Sequence, residues 1–308
     1  MSVIVFGSLN TDLVTVVPRL PVAGETLTGR NFFTAAGGKG ANQAVAAARL
    51  GVPTRLVGRV GNDAFGAELI SGLRQSGVRT EGIVPDESTH SGVASITVDE
   101  AGENTIAIVA GANGRVDESD VERLRQWLSG ATALLLQLEV PMTAVVAAAR
   151  AAQQEGIPVI LDPAPTPELL PEKLYELVDT LTPNQVEASQ LVGFPVTDRD
   201  SATKAAKQLR DRGVGRAIVK LGAKGVVCVT ATDTMFVPAF AVDAVDTVAA
   251  GDAFNGALAA ALAHQLPLRQ ALVWGAAAGA LSVTKSGAQP SLPERSAFEA
   301  FLQERERG

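Results

Sequence analysis

Thr132-Ala133-Leu134-Leu135-Leu136-Gln137-Leu138 is an apolar run of strand length, and the Ala-rich stretch 141–154 behind it has the length and composition of a helix. Ile157-Pro158-Val159-Ile160-Leu161 is a second short apolar run. Strand, helix and strand thus follow one another in residues 132–161, the unit from which parallel sheets are built. A helix over 117–129 precedes them. Beyond residue 184 the alternation continues with helices 184–192 and 200–212, a strand 216–220, strands 226–230 and 234–237, and helices 250–264, 268–283 and 293–305. Upstream, Val3 to Gly7 reads as a buried strand, Ala41 to Leu50 as a helix closed by Gly51, 54–60 as strand and 63–76 as helix. The expected architecture is a doubly wound, mostly parallel central sheet flanked by helices.

Two regions break the pattern. Residues 11–34 carry Pro18, Pro21, Gly24 and Gly29 among short alternating pieces, and Asp99-Glu100-Ala101-Gly102 is a hairpin signature between 91–98 and 104–109. These segments, about 11–34 and 91–110, are expected to form a small β-sheet lid on a single α/β domain spanning 1–308.

Composition narrows the classes of function. A hydrophobic content of 46% with 4% aromatics requires a core of Ala, Val and Leu. The net charge of −7, without a basic stripe, argues against nucleic-acid binding. The longest charge-free stretch, 253–268, contains Asn255, His264, Gln265 and Pro267 and is too short and polar to span a bilayer. No basic region precedes Val3 to Phe6, so no signal peptide is read and a cytoplasmic location is expected. Cys228, in Val226-Val227-Cys228-Val229, reads as a core thiol. With one Cys and two His, His90 and His264, no zinc site is expected.

Gly37-Gly38-Lys39-Gly40-Ala41-Asn42 and Ala249-Ala250-Gly251-Asp252 each lead into a helix, where exposed N–H groups and the helix dipole suit an anion. Neither segment fits G-x-x-x-x-G-K-[ST] or G-x-G-x-x-G, which disfavours a Walker-type ATPase and a Rossmann dehydrogenase. Taken alone, either is equally well a tight turn. Asp252 could be a first-turn acid stabilising its own helix. The three small residues before it leave room for a ligand, and phosphoryl transfer needs both a carboxylate to accept the hydroxyl proton and donors for the transferred group.

The chain resembles the ribokinase/phosphofructokinase-B family of carbohydrate kinases, and within it the ribokinase branch. The resemblance rests on Gly37 to Ala44 and on Asp246-Thr247-Val248-Ala249-Ala250-Gly251-Asp252-Ala253-Phe254-Asn255-Gly256, with Gly7 to Asp12, Pro21 to Thr26, Ala110 to Asn113, Gln137 to Glu139, Thr182 to Glu187 and Gly287 to Ser291 in order before, between and after them. It implies that Asp252 is the general base toward O5 of D-ribose, with the N–H groups of Ala249, Ala250, Gly251 and Asp252 as an anion hole for the phosphate of ATP. Asn10, Asp12, Gly38, Lys39, Gly40, Asn42 and Glu139 would hold the sugar. Asn184, Lys220, Gly222, Ala223, Lys224, Gly225, Gly251 and Ala276 would lie on the nucleotide side. Glu187 would meet Mg²⁺ through water, with Asn184 and Glu187 also readable as a capping box. Asp246, Val248, Ser282, Lys285, Gly287 and Ser291 would surround K⁺, largely through carbonyl oxygens. Ala276 departs from the polar residue often found near the adenine. Deoxyribose, fructose or a nucleoside such as adenosine are alternative acceptors, and a sensor that has lost catalysis is a further alternative. A homodimer joined through the lid is also expected.

Overall fold

The computed structural model of the chain describes residues 1–306. The first half contains Val3–Phe6 (β1), Asn10–Val16 (β2), Asn31–Gly37 (β3), Lys39–Arg49 (α1), Thr54–Gly61 (β4), Ala64–Gln75 (α2), Val78–Asp86 (β5), Gly92–Val98 (β6), Asn104–Val109 (β7), Glu118–Leu128 (α3) and Ala133–Leu136 (β8). Met142–Gln154 (α4), Val159–Leu161 (β9), Glu172–Glu176 (α5), Thr180–Leu181 (β10), Gln185–Val192 (α6) and Arg199–Asp211 (α7) follow. The chain continues with Arg216–Lys220 (β11), Val226–Val229 (β12), Thr234–Val237 (β13), Ala250–Ala263 (α8), Leu268–Ser282 (α9) and Arg295–Glu306 (α10).

Nine strands form the central sheet in the order β13-β12-β11-β10-β9-β8-β1-β4-β5. Those from β11 to β5 are parallel, while β12 and β13 run antiparallel at one edge. Every residue of β1, β8, β9 and β12 is buried, as strands covered on both faces must be. Side chains alternate between the two faces. Ile4 and Phe6 join a core with α3, α4, α6 and α7, whereas Val3 and Val5 join a second core with α1, α2, α8 and α9. Cys228 is fully buried in the second core, where burial pushes its thiol up to about 11.

Asn10–Val16, Asn31–Gly37, Gly92–Val98 and Asn104–Val109 form a separate sheet in the order β3-β2-β6-β7, with β2 and β6 parallel. The early β segment and the later hairpin therefore share one sheet. Residues 17–30 between β2 and β3 contain no strand. The strand expected over 132–138 stops at Leu136, because Gln137 leaves the ladder for a polar cluster. The elements β5, α5 and β10 were not anticipated from the sequence. Residues 307 and 308 of the expected 1–308 domain lie outside the described part. Among the described residues, no helix is long and apolar enough to cross a membrane.

The strand order turns at β1, flanked by β4 and β8, and ligands in such sheets collect beyond the carboxyl strand ends at that point. Two helices that begin there, α1 and α8, pack against each other through small residues. A Cβ on Gly256 would stand 2.5 Å from Ala46 Cβ and 2.8 Å from Gln43 O. Gly256→Ala is expected to destabilise the protein by about 1–3 kcal/mol through overpacking, more than the ~1 kcal/mol of helix propensity it gains. Urea denaturation measures this, and an unchanged midpoint would contradict the close packing.

Candidate active site

Gly38, with φ of 87°, turns β3 into α1. At Gly40 a Cβ would stand 2.6 Å from Ser8 N, so α1 begins in direct contact with the loop after β1. Ala41 N–H donates to Ser8 O at 2.9 Å. Glu139, past the end of β8, supplies the side-chain acceptor that α1 lacks locally. Its Oε2 accepts from Lys39 N at 2.9 Å and from Ser8 Oγ at 2.5 Å.

Helix α8 begins differently. Ala249 adopts the left-handed conformation, with φ of 61°, and no side chain caps the helix. Ala250 N–H makes a long bond of 3.3 Å to Thr247 O. The N–H groups of Ala249, Gly251 and Asp252 have no protein acceptor among the described residues. Asp252 is 4% exposed and leaves them free, because its carboxylate reaches across to α1. Asn42 Nδ2 donates to Oδ2 and Gln43 Nε2 to Oδ1, both at 3.0 Å. Lys39 Nζ lies 4.0 Å away. A first-turn acid serving only its own helix would not be oriented this way.

A second buried carboxylate, Asp162, follows β9. It accepts from Gln43 Nε2 and from Lys220 Nζ, both at 3.1 Å, with Lys39 Nζ at 3.8 Å. Burial opposes the charge on Asp162, but Lys220 and Lys39 outweigh it and hold the carboxyl below its ordinary value. Burial likewise disfavours the Lys39 charge, yet Asp252, Asp162, Glu139 and Glu187 together raise it. Lys220 also borders the α8 turn, since a Cβ on Gly251 would stand 3.3 Å from its Nζ.

The other expected residues fall around this centre. Asn10, buried at the start of β2, accepts from Asn113 Nδ2 at 2.7 Å through Oδ1. Asp12 faces Glu139, and burial together with that like charge lifts its carboxyl to about 7. Asn184 and Glu187 form a capping box on α6, tied to the end of β11 through the bond from Lys220 N to Pro183 O at 2.9 Å. Burial and Asp162 raise the Glu187 carboxyl.

Gly222, Ala223, Lys224 and Gly225 form the turn from β11 to β12, with Gly222 and Gly225 at positive φ. Lys224 Nζ donates to Thr197 O at 2.7 Å, away from the carboxylate cluster. Ala276 lies half-buried on α9. Asp246 joins the loops before α8 and after α9, accepting from Val248 N at 3.0 Å and Gly287 N at 2.8 Å. The hydroxyls of Ser282 and Ser291 donate to Gly279 O and Ala288 O, each within its own turn, and Lys285 N–H donates to Ser282 O at 3.2 Å.

Lys39, Asn42, Glu139 and Asp252 are thus brought together directly. Asp162 was not singled out from the sequence, although its place after a strand's carboxyl end was the available signal. Gln43 and Asn113 stood within motifs without assigned roles.

Folding raises the Asp12 carboxyl from 3.8 to about 7, so the folded chain holds a proton that the unfolded chain releases within that range. This contribution to stability is complete below the unfolded value and fades as pH rises through about 7. Asp12→Asn is therefore expected to melt increasingly above wild type as pH climbs from 4 toward 8. Thermal melts across that range measure it, and a constant difference would contradict the assignment.

The sequence profile described as pfkB family carbohydrate kinase matches residues 1–295. The chain is 41% identical to a ribokinase of Haemophilus influenzae, with 97% of each covered. It is 37% identical to a deoxyribokinase of Salmonella typhi, covering 98% of this chain and 99% of that one. The solved structure of the Arabidopsis thaliana ribokinase complexed with ribose and ATP shares the fold, at a TM-score of 0.90 and 34% identity over 98% of each chain. The chain belongs to the pfkB family of carbohydrate kinases.

Proposed function

We propose that the protein transfers the γ-phosphate of MgATP to O5 of D-ribose, giving D-ribose 5-phosphate and ADP. The observation that carries this reading is the α8 turn. There a buried carboxylate stands beside the N–H groups of Ala249, Gly251 and Asp252, which have no protein acceptor among the described residues, so one turn offers both a proton acceptor and an anion hole. The O5 hydroxyl gives its proton to Asp252 as O5 bonds to the γ-phosphorus, and the bond to the β,γ-bridging oxygen breaks to release ADP. The N–H groups of residues 249–252 receive the charge on the transferred group, with Lys220 beside them. Asn42 Oδ1, buried with no partner among the described residues, is available to a sugar hydroxyl. Asn10, Asp12, Lys39 and Glu139, with the backbone of Gly38 and Gly40, complete the sugar side.

Among the described residues no three His, Cys, Asp or Glu side chains converge as a metal cage. Asn184 and Glu187, oxygen donors at the start of α6, would meet Mg²⁺ carried on the phosphates through water. Bound there, Mg²⁺ would neutralise phosphate charge. The turn Gly222 to Gly225 and Ala276 would border the nucleotide. Carbonyl oxygens of 246, 248, 282, 285 and 287, with Ser291 beside them, would hold K⁺ between the loops that Asp246 joins and would steady the turn at Ala249 without touching substrate.

The small sheet would act as a lid. Its exposed Phe32, Phe33, Ile106, Ile108 and Val109 suit a homodimer in which two copies cover one another. The compartment we assign is the cytoplasm. A second reading, 2-deoxyribose as preferred acceptor, is favoured by the likeness to a deoxyribokinase.

Ribose-dependent ADP formation with Mg²⁺, compared across ribose, deoxyribose, fructose and adenosine with and without K⁺, tests the reading. Ribose is expected to give the highest kcat/KM, with K⁺ raising turnover. No ADP formation with any sugar would contradict it, and a higher value for deoxyribose would favour the second reading. Asp252→Asn is expected to lower kcat by roughly two orders of magnitude, and near-normal turnover would remove Asp252 from its role.

A further inference from the structure

Gln43 lies one residue beyond Asn42 on α1, 1% exposed, between the two buried carboxylates. Its amide nitrogen donates to Asp252 Oδ1 at 3.0 Å and to Asp162 Oδ2 at 3.1 Å, so both of its hydrogens are committed. Its oxygen accepts from Gln137 Nε2 at 2.8 Å. That third bond fixes which way the amide points. Carboxylate oxygens accept, so the nitrogen faces them, and Gln137 supplies the donor that the opposite end requires.

From this geometry we infer that Gln43 is the positioning residue of the active site: it locks the Asp252 carboxylate in rotation by tying it to Asp162, which Lys220 and the end of β9 anchor. The inference rests on Asp252 acting as the base. Asn42 alone would leave the carboxylate hinged on one bond to Oδ2. Gln43 supplies the second point, on Oδ1, and a carboxylate held at both oxygens cannot turn away from an incoming hydroxyl. Gln43 touches neither sugar nor nucleotide in this scheme, so its effect belongs in turnover rather than in binding. The same amide lies between two negative charges that Lys39 Nζ approaches from 3.8 and 4.0 Å without a hydrogen bond to either.

Gln43→Met keeps the approximate length of the side chain and removes both donors. It is expected to lower kcat by roughly tenfold to a hundredfold, the scale of a misplaced reacting group, with KM for ribose and for ATP changed less than about twofold. Added to Asp252→Asn, it should cause no further loss, because there is no longer a base to orient. A residue that only supports the fold would instead lower the melting temperature and reduce turnover equally in both backgrounds. Unchanged kcat, or a loss that multiplies with that of Asp252→Asn, would overturn the proposal. Should Gln43→Met not fold, Gln137→Met frees the Gln43 amide to turn and is expected to lower kcat in the same direction by a smaller factor. Normal kcat there would contradict the proposal equally. Activity in wild type and its loss in Asp252→Asn establish the base independently, so a normal Gln43 variant beside them rejects the positioning role alone.

Discussion

Two carboxylates with almost no solvent access, Asp162 and Asp252, meet at the carboxyl rim of the central sheet, and the rest of the site is arranged to give their oxygens donors there. An unpaired buried ion costs several kcal/mol. Here Lys39 approaches both carboxylates and Lys220 bonds one of them, while Asn42 and Gln43 spend their amide hydrogens on the remaining oxygens. Lys39 and Asn42 are also proposed sugar contacts, and Lys220 stands against the α8 turn proposed as the anion hole. The groups that make the buried charge tolerable are thus the groups a sugar and a phosphate would meet.

That cluster explains several features of the backbone. Gly40 and Gly256 have no room for a side chain, because α1 must lie against both the loop after β1 and the face of α8 to bring Asn42 and Gln43 to Asp252. Ala249 takes a left-handed conformation, so α8 starts without a cap and its first N–H groups remain available. On α2, α3, α6 and α7, Asp63, Asp117, Asn184 and Asp198 accept from their own first turn, while α4, α5 and α9 follow prolines and carry no side-chain cap. The two helices without side-chain caps that face the carboxylate cluster are the ones proposed to hold ligands. Exposed N–H groups at α8 are a local cost that the fold accepts where an anion would occupy them.

The alternation of apolar runs with Ala-rich stretches made the doubly wound sheet readable, and the hairpin at Asp99 to Gly102 made the small sheet readable. Elements without such a pattern were not. Val78–Asp86 mixes Arg79, Glu81, Gly82 and Pro85 into an edge strand, and Thr180–Leu181 is too short to carry a period. In the site, residues within contiguous motifs, such as Lys39, Asn42 and Asp252, could be proposed from sequence. Asp162 was not, since Asp162-Pro163-Ala164-Pro165 reads locally as a turn, its place after a strand end was the one signal, and its partners Lys220 and Gln43 are 58 and 119 residues away in the chain. Gln43 was visible, but only packing reveals that it spans two carboxylates. Lys224, plausible near a phosphate by its glycine neighbours, is exposed and donates to Thr197 O.

The central claim is spatial: the Asp252 carboxylate faces the acceptor hydroxyl while the α8 turn faces the phosphate in transfer. A crystal structure with ribose, Mg²⁺ and a non-hydrolysable ATP analogue tests it most directly. The account predicts O5 within hydrogen-bond distance, about 3 Å, of an Asp252 oxygen, and the terminal phosphate turned toward the N–H groups of residues 249–252. A sugar bound with another hydroxyl toward Asp252, or a phosphate held away from that turn, would contradict it.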